Sequence, residues 1–458
     1  MPQMRWKAEL EWGLVFLMVT SGCKVYHRLP LDRGAKDAAL AEPDLARIQV
    51  QAGELKHPIL KPLHVDLRNG LSADEAAVLA VIANPDLRAV RDQRALAAAQ
   101  LLDAGLLPDP VLSYGQDFPE QGQAGTVTAD SLQLSLDLTA ILTRGMRHRA
   151  ARFAQQAVQL DVAWQEWQVA EGAKLSVYRL MALESQVTLA EEGAALQVEI
   201  LKGVEQAAAH GDMSLGELVL ARTNCEAGQR SALSLRQARD RERLALNGLL
   251  GLAPHQRVEL EKTATERLWD ALPSEAALLQ QLDQRLDLVA LQQGYQSQDA
   301  RLRLAVWSQF PSIGLSVNRS RDASAIVTQG YAVAVSLPLF NRARGLVAVE
   351  DATRQQLHDQ YLARLYHARS EVVQLLADLR AIREQIAAAR AALPALAAQA
   401  RGAEQAFAQG ALERQGLGLA QLAILTQQAT LAALQGSLDE LGVALEIASG
   451  QSSQEPAK

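Results

Sequence analysis

The side chains able to do chemistry are few and dispersed. Eight histidines, His27, His57, His64, His148, His210, His255, His358 and His367, include no HxxxH or HExxH pair, the spacings that set two imidazoles on one helical face for a metal. The 458-residue chain has no GxxxxGK[ST] phosphate cradle, no GxGxxG in a strand–helix–strand setting and no GxSxG nucleophile elbow. The reading is therefore no enzyme, no bound metal and no cofactor. Two cysteines exclude a disulfide-stapled scaffold and a Cys-based structural zinc module. Lys+Arg 45 against Asp+Glu 52 gives a net charge of −7, which argues against a polyanion-binding surface and so against nucleic acid. What remains is a set of carboxylates around two Gly-containing turns: Glu205, Asp212 and Glu217 near Gly211, and Glu404 and Glu413 near Gly410. Carboxylates that face one another attract cations or repel, unless protons or arginines intervene; Arg222, Arg401 and Arg414 stand close by in sequence.

Cys23 is the other residue with a telling context. A short apolar run, Trp12-Gly-Leu-Val-Phe-Leu-Met-Val19, follows Arg5 and Lys7, and the small residues Thr20-Ser21-Gly22 lead into Cys23. The run is too short to remain across a bilayer and reads as the apolar part of an export signal over residues 1–22. Its end is similar to a bacterial lipoprotein signal, in which the cysteine becomes the lipidated first residue. Cys225 lies in a helical stretch and reads as a packing residue.

These residues need elements to position them. With 49% hydrophobic and 4% aromatic residues, the chain favours long Ala/Leu helices over a large β domain. Residues 23–70, with Pro30, Pro43, Pro58 and Pro62, read as an extended lead-in. No apolar run of about 18 residues is expected after the signal, hence no membrane-spanning helix. A first repeat, 71–251, begins with a helix from about Leu71 to Ala104, broken or kinked at Asn84-Pro85. Strands follow at 111–118 and 128–138, then a helix from about Thr143 to Ala207, a turn near Gly211 and a return helix to Leu250-Gly251. A connector, 252–275, leads to a second repeat, 276–448, with strands at 312–320 and 329–339, a helix from about Arg342 to Ala408, a turn at Gly410 and a return helix to about Leu445. Residues 449–458 read as a flexible tail. A helix of about 65 residues is close to 100 Å long. The turn regions align, Gly203-Val-Glu-Gln-Ala-Ala-Ala-His-Gly211 against Gly402-Ala-Glu-Gln-Ala-Phe-Ala-Gln-Gly410, and a repeated hairpin implies a repeated structural job. Heptad seams run through Leu365, Val372, Leu379, Ile386 and Leu393, and through Ala368, Leu375, Ile382, Ala389 and Leu396.

The strands alternate strictly. Leu132, Leu134, Leu136 and Leu138 interleave with Ser131, Gln133, Ser135 and Asp137, and Ile313, Leu315, Val317, Val333, Val335 and Leu337 interleave with residues such as Ser316, Asn318 and Ser336. In a bilayer no sheet edge can be left open, so four strands per chain require several chains; three supply twelve strands. The apolar set then meets lipid, and Ser131, Gln133, Ser135, Asp137, Ser316, Asn318 and Ser336 line a water-filled lumen. Tyr114, Phe118, Trp307, Phe310, Tyr331 and Phe340 sit at strands or their ends, as interfacial aromatics do. A packed soluble β layer uses the same alternation.

At these residues the chain resembles the TolC-like outer-membrane efflux proteins, over about residues 71–448. The resemblance is carried in order by Asn84-Pro-Asp-Leu87, Ala104-Gly-Leu-Leu-Pro-Asp-Pro110, Leu136-Asp-Leu138 with Gly145 and Arg147, and Leu246-Asn-Gly-Leu-Leu-Gly251; then by Arg285-Leu-Asp-Leu288, Phe310-Pro311 and Ser336-Leu-Pro-Leu-Phe-Asn-Arg342 with Arg344-Gly345. Arg285-Leu286-Asp287 replaces the more frequent Arg-Pro-Asp, and Leu136-Asp137-Leu138 replaces a Pro-containing strand end. The resemblance implies a mainly α chain with membrane β: a homotrimer with one twelve-stranded β-barrel continuous with a long periplasmic α-helical coiled-coil tunnel. It implies a passive outer-membrane exit duct of a tripartite export system, for metal cations or drugs, in a Gram-negative bacterium. The partners implied are outer-membrane lipid, a periplasmic adaptor and an inner-membrane pump, with Cys23 as lipid anchor. Glu205, Asp212, Glu217, Glu404 and Glu413 become candidates for the periplasmic gate, with Arg222, Arg401 and Arg414 as their partners. Gly211, Met213, Ser214, Leu215, Gly216, Gly410, Gln415, Gly416, Leu417 and Gly418 become candidate adaptor contacts. The competing reading is a periplasmic coiled-coil adaptor or scaffold without its own pore.

Overall fold

The computed structural model describes residues 24–41, 44–65, 70–120, 125–261 and 272–451; the export signal, Cys23 and the tail from residue 452 lie outside the described residues. The chain divides into two units, Met1–Pro43 and Asp44–Lys458. The first contains helix α1 (Arg33–Leu40), opened by Asp32, whose carboxylate accepts the Ala35 N–H at 3.0 Å.

In the second unit, α2 (Leu45–Gly53) is followed by α3 (Ala73–Ala83) and α4 (Pro85–Gly105). Ser72 and Glu75 form a reciprocal capping box at the start of α3. At the expected break or kink the chain forms two helices, because Asn84 leaves helical geometry and caps α4, its side-chain oxygen accepting the N–H groups of Asp86 and Leu87. Pro85 takes the first position of α4, where no N–H is needed.

Strands β1 (Val111–Asp117) and β2 (Ala129–Asp137) form an antiparallel hairpin. Helix α5 (Leu138–His210) leaves β2 directly and runs 73 residues, about 110 Å at 1.5 Å per residue. It starts five residues earlier than the sequence suggests because the Asp137 carboxylate caps it, accepting the Ala140 N–H at 3.0 Å. Helix α6 (Leu215–Leu249) returns along it. The plan then repeats: α7 (Glu275–Gln281), α8 (Leu286–Trp307), β3 (Ser312–Arg321), β4 (Val327–Ser336), α9 (Arg344–Ala408) and α10 (Arg414–Ser449). The four strands make one antiparallel sheet in the order β1-β2-β3-β4.

The helical core lies around the middle of the hairpins. Leu79, Val177, Leu180, Leu246 and Leu250 form its first-repeat part; Leu282, Val372, Leu376, Leu379 and Leu445 form the second. In α9 the buried seam passes through Leu376 rather than Leu375, as expected when a helix of 3.6 residues per turn drifts against a strict seven-residue repeat. Pro394 sits inside α9. Contrary to the expectation of no apolar stretch, α10 is long and apolar enough by length and composition to cross a membrane, with a mean hydropathy of 1.3. Its Gly418 and Gly436 abut α5, however, and Gln427 donates to the Ala389 carbonyl of α9.

Candidate functional site

The register sorts the sheet into two chemically different faces, since directly paired residues point the same way. Gln133 faces Asn318, Ser135 faces Ser316, and Ser131 faces Ser320; across the next pair, Asn318 faces Gly330, Ser316 faces Ala332, and Ser312 faces Ser336. This face is polar or small apart from Val111, opposite Ser135, and Ser320 and Thr328 join hydroxyls across it at 2.8 Å. The other face pairs Tyr114 with Leu132, Leu134 with Val317, Leu136 with Leu315, Val317 with Tyr331, and Ile313 with Val335. Its large apolar side chains are exposed, up to 80% for Tyr331. The apolar surface covers the part of this face nearer the helices and gives way to Arg319, opposite Leu132 and Gln329, toward the other end; an apolar patch of this kind marks an interaction with lipid or protein. Asp130 and Arg321 form an ion pair at 2.8 Å at the end remote from the helices. Of the seven residues assigned to the polar face, Asp137 is the one whose carboxylate is already engaged, as the cap of α5.

The hairpin tips share one backbone device. The Asp212 N–H donates to the Ala207 carbonyl at 3.0 Å, and the Ala411 N–H to the Ala406 carbonyl at 2.8 Å, each around a left-handed glycine, Gly211 and Gly410. The side chains divide into two groups. Glu217 belongs to the capping box with Ser214 at the start of α6, and the bonds from Ser214 hold its carboxyl below the usual range. Glu205 takes a 3.0 Å bond from Arg222 within the first hairpin, and Arg414 lies 4.0 Å from Glu199 of α5. Asp212, Glu404, Glu413 and Arg401 are exposed and have no side-chain partner among the described residues. Met213, Ser214, Leu215 and Gly216 lie at the first tip, and Gln415, Gly416 and Leu417 at the second. Gly418 is buried one turn further along, where an added Cβ would stand 2.6 Å from Ile200.

Residues 277–451 match the family model described as Outer membrane efflux protein. The matched stretch runs from within α7 to just past the end of α10. Three solved channels illustrate the shared fold. CusC is 20% identical, with 90% of this chain and 99% of that one covered and a TM-score of 0.69. The outer-membrane channel OprN is 17% identical, with 94% and 100% covered and a TM-score of 0.72. The CmeC outer membrane channel of Campylobacter jejuni is 17% identical, with 95% and 96% covered and a TM-score of 0.68. None of the curated proteins matches the chain at a significant level. Among the described residues no group of His, Cys, Asp and Glu could hold a metal ion.

The best-buried charges of the chain lie in the helical middle, and sequence reading passed over them. Lys174 donates to Glu446 at 2.7 Å and lies 3.5 Å from Asp74, tying the first hairpin to the last helix. Glu171 lies beside them, 1% exposed, with Oε2 lacking a hydrogen-bond partner. Burial first, then the neighbouring Glu446, pushes its carboxyl well above the ordinary range. Burial works against the charge of Lys174, but Glu446 and Glu171 outweigh it and raise the ammonium's pKa. Glu166 is likewise buried, yet hydrogen bonds from Arg91 at 2.6 Å and Arg94 at 2.7 Å prevail and keep it ionised.

The two repeats also close by related locks. Asn84 Nδ2 donates to the Leu249 carbonyl at 3.0 Å, and Arg285 Nη1 to the Ala448 carbonyl at 2.7 Å. Gly251 and Gly450, both left-handed, follow those helix ends; an added Cβ would stand 2.5 Å from the Ala83 carbonyl oxygen and 2.7 Å from Arg285 Cγ. Arg285 further grips Asp287 with two bonds and lies 4.9 Å over the Trp164 ring.

Proposed function

We propose that three copies of this chain join their sheets edge to edge into a twelve-stranded barrel, continued by the helices as a periplasmic tunnel, and that the assembly is the passive exit duct of a tripartite export system. The observation that carries this reading is the sheet itself. It has one face that is exposed and mainly apolar, one that is mainly small and polar, and outer strands β1 and β4 paired on one side only. A bilayer tolerates such a sheet only when closed. Ser131, Gln133, Ser135, Ser316, Asn318 and Ser336 then line the lumen. A periplasmic adaptor meets the hairpin tips around Leu215 and Leu417, an inner-membrane pump supplies the energy, and Cys23 carries a lipid anchor.

At the closed end, Asp212, Glu404 and Glu413 are the remaining gate candidates, because Glu205 and Glu217 are already engaged within their own hairpin. In a threefold ring each free carboxylate occurs three times and draws cations. Single-channel recording of the purified protein in planar bilayers tests both levels. Pore formation supports the duct; absence of any conductance from the folded protein, including a variant with loosened tips, overturns it. Asp212→Ala and Glu413→Ala are expected to lower cation preference, and unchanged selectivity in both removes them from the gate.

A further inference from the structure

Beneath the sheet, α5 and α9 begin with an unusual charge pattern. Between Asp137 and Asp161 the chain has Arg144, Arg147, His148, Arg149 and Arg152 and no Asp or Glu; before Glu350, the start of α9 has Arg342 and Arg344 and again no acid. The first turns of both helices lack an acidic residue. Arg344, in the first turn of α9, opposes that helix's dipole, while the arginines of α5 begin beyond the reach of the dipole and gain nothing from it. Pairing of Asp137 with Gly314 and of Ser312 with Ser336 puts both helix starts at the same end of the sheet.

We propose that Arg149 and Arg152 hold the phosphate of a membrane phospholipid on the outer surface of the duct, at its periplasmic lipid boundary. This rests on the duct reading above. Both guanidiniums are exposed and without a partner among the described residues, and with Gly145, His148, Phe153 and Gln156 they line an open recess of about 410 Å³. Orientation follows from packing. Helix α5 meets α8 at Ala150, whose carbonyl accepts from Ser297, and meets α4 where Arg144 donates to the Gly105 carbonyl and His148 lies against Gly105. At 3.6 residues per turn these two directions are roughly 140° apart, and the recess lies in the remaining arc of roughly 220°. In a closed ring of helices the wider arc faces outward.

Leu142, seven residues before Arg149 on the same face, is 65% exposed. Nearby chain segments expose Phe340 and the tilted pair Trp307 and Phe310, with ring centroids 5.7 Å apart, a composition typical of membrane interfaces. Arg149 therefore follows the apolar belt by about 10 Å along the helix, and helical side chains lean back toward the N-terminus, here toward the sheet. A headgroup layer is roughly 5–8 Å deep per leaflet. The cations thus sit where lipid phosphates lie.

The test is native mass spectrometry of the full-length purified assembly, titrated with phosphatidylglycerol or phosphatidylcholine of matched chains. Two arginines predict a preference for the anionic lipid of roughly 10- to 30-fold. The variant Arg149→Gln/Arg152→Gln is expected to lose it, and Arg149→Lys/Arg152→Lys to keep most of it. Equal retention of both lipids by the wild type, or an unchanged preference in the Gln variant, overturns the proposal. So does displacement of phosphatidylglycerol by millimolar inorganic phosphate, which identifies a free-phosphate site, or a Gln variant that changes ion selectivity but not lipid retention, which places the arginines inside. Wild-type conductance, recorded separately, tests the duct reading on its own.

Discussion

Replacing Arg285 by Ala should loosen the end of the second repeat selectively. Its side chain is 1% exposed, so every contact it makes is made away from water. The bond to the Ala448 carbonyl is charge-assisted, about 1.5–3 kcal/mol, and the contact with Trp164 adds about 1–2 kcal/mol at a desolvated site. Removing one partner of a buried ion pair costs about 3–5 kcal/mol when the other is stranded. Asp287 is not stranded: Arg364 remains at 2.8 Å and the Leu288 N–H at 2.9 Å. The local cost is therefore about 3 kcal/mol, roughly 100-fold in an opening equilibrium. Hydrogen exchange of peptides covering 440–451 reads that opening directly. Asn84→Ala, which loses a neutral bond to Leu249 and a helix cap, should accelerate exchange at 245–252 by roughly 5- to 30-fold. The lock is refuted if Arg285→Ala changes exchange at 446–450 by less than about threefold, or changes it equally along all of α9 and α10.

Two further outcomes follow from the helical middle. Because the folded state raises the pKa of Glu171, its stabilising contribution is complete below the usual carboxylate range and is lost as pH rises through the raised value. Thermal melting of the wild type should fall as pH rises above the usual carboxylate range while Glu171→Gln stays flatter; parallel curves for the two proteins would remove Glu171 from this role. Gly418→Val should force the tips apart, since its side chain would begin 2.6 Å from Ile200 in the α5–α10 seam. Its cost is about 1–3 kcal/mol by overpacking, checked by melting temperature and by channel open probability, and unchanged values in both would show that the seam yields there.

Legibility in the sequence followed the range of the interaction. The long helices show themselves through seven-residue spacing and the paired turn motifs, and Leu132-Gln-Leu-Ser-Leu136 declares its two faces within five residues. The cap at Asn84 was also local, but reading it only as a break or kink left out that its backbone ends one helix while its side chain starts the next. The charged cluster was not readable: Lys174 and Glu446 are 272 residues apart, and a charged residue on a long helix looks like solvated surface until its partner is in place. Arg285-Leu-Asp was noticed as a motif, whereas its hold on Ala448 and Trp164 depends on the return of α10. At the tips, Ser214-Leu-Gly-Glu217 has capping-box spacing, and that signal could have separated Glu217 from Asp212 beforehand.

Pro394 makes the two hairpins mechanically unequal. It lacks the N–H that would bond the Arg390 carbonyl, while no proline interrupts α5. The second hairpin thus has a soft point about 20 Å from its turn, and the first has none. Under the proposed threefold assembly, six similar arms alternate between stiff and pliant, so any dilation of the closed end proceeds in steps of three rather than as a uniform iris.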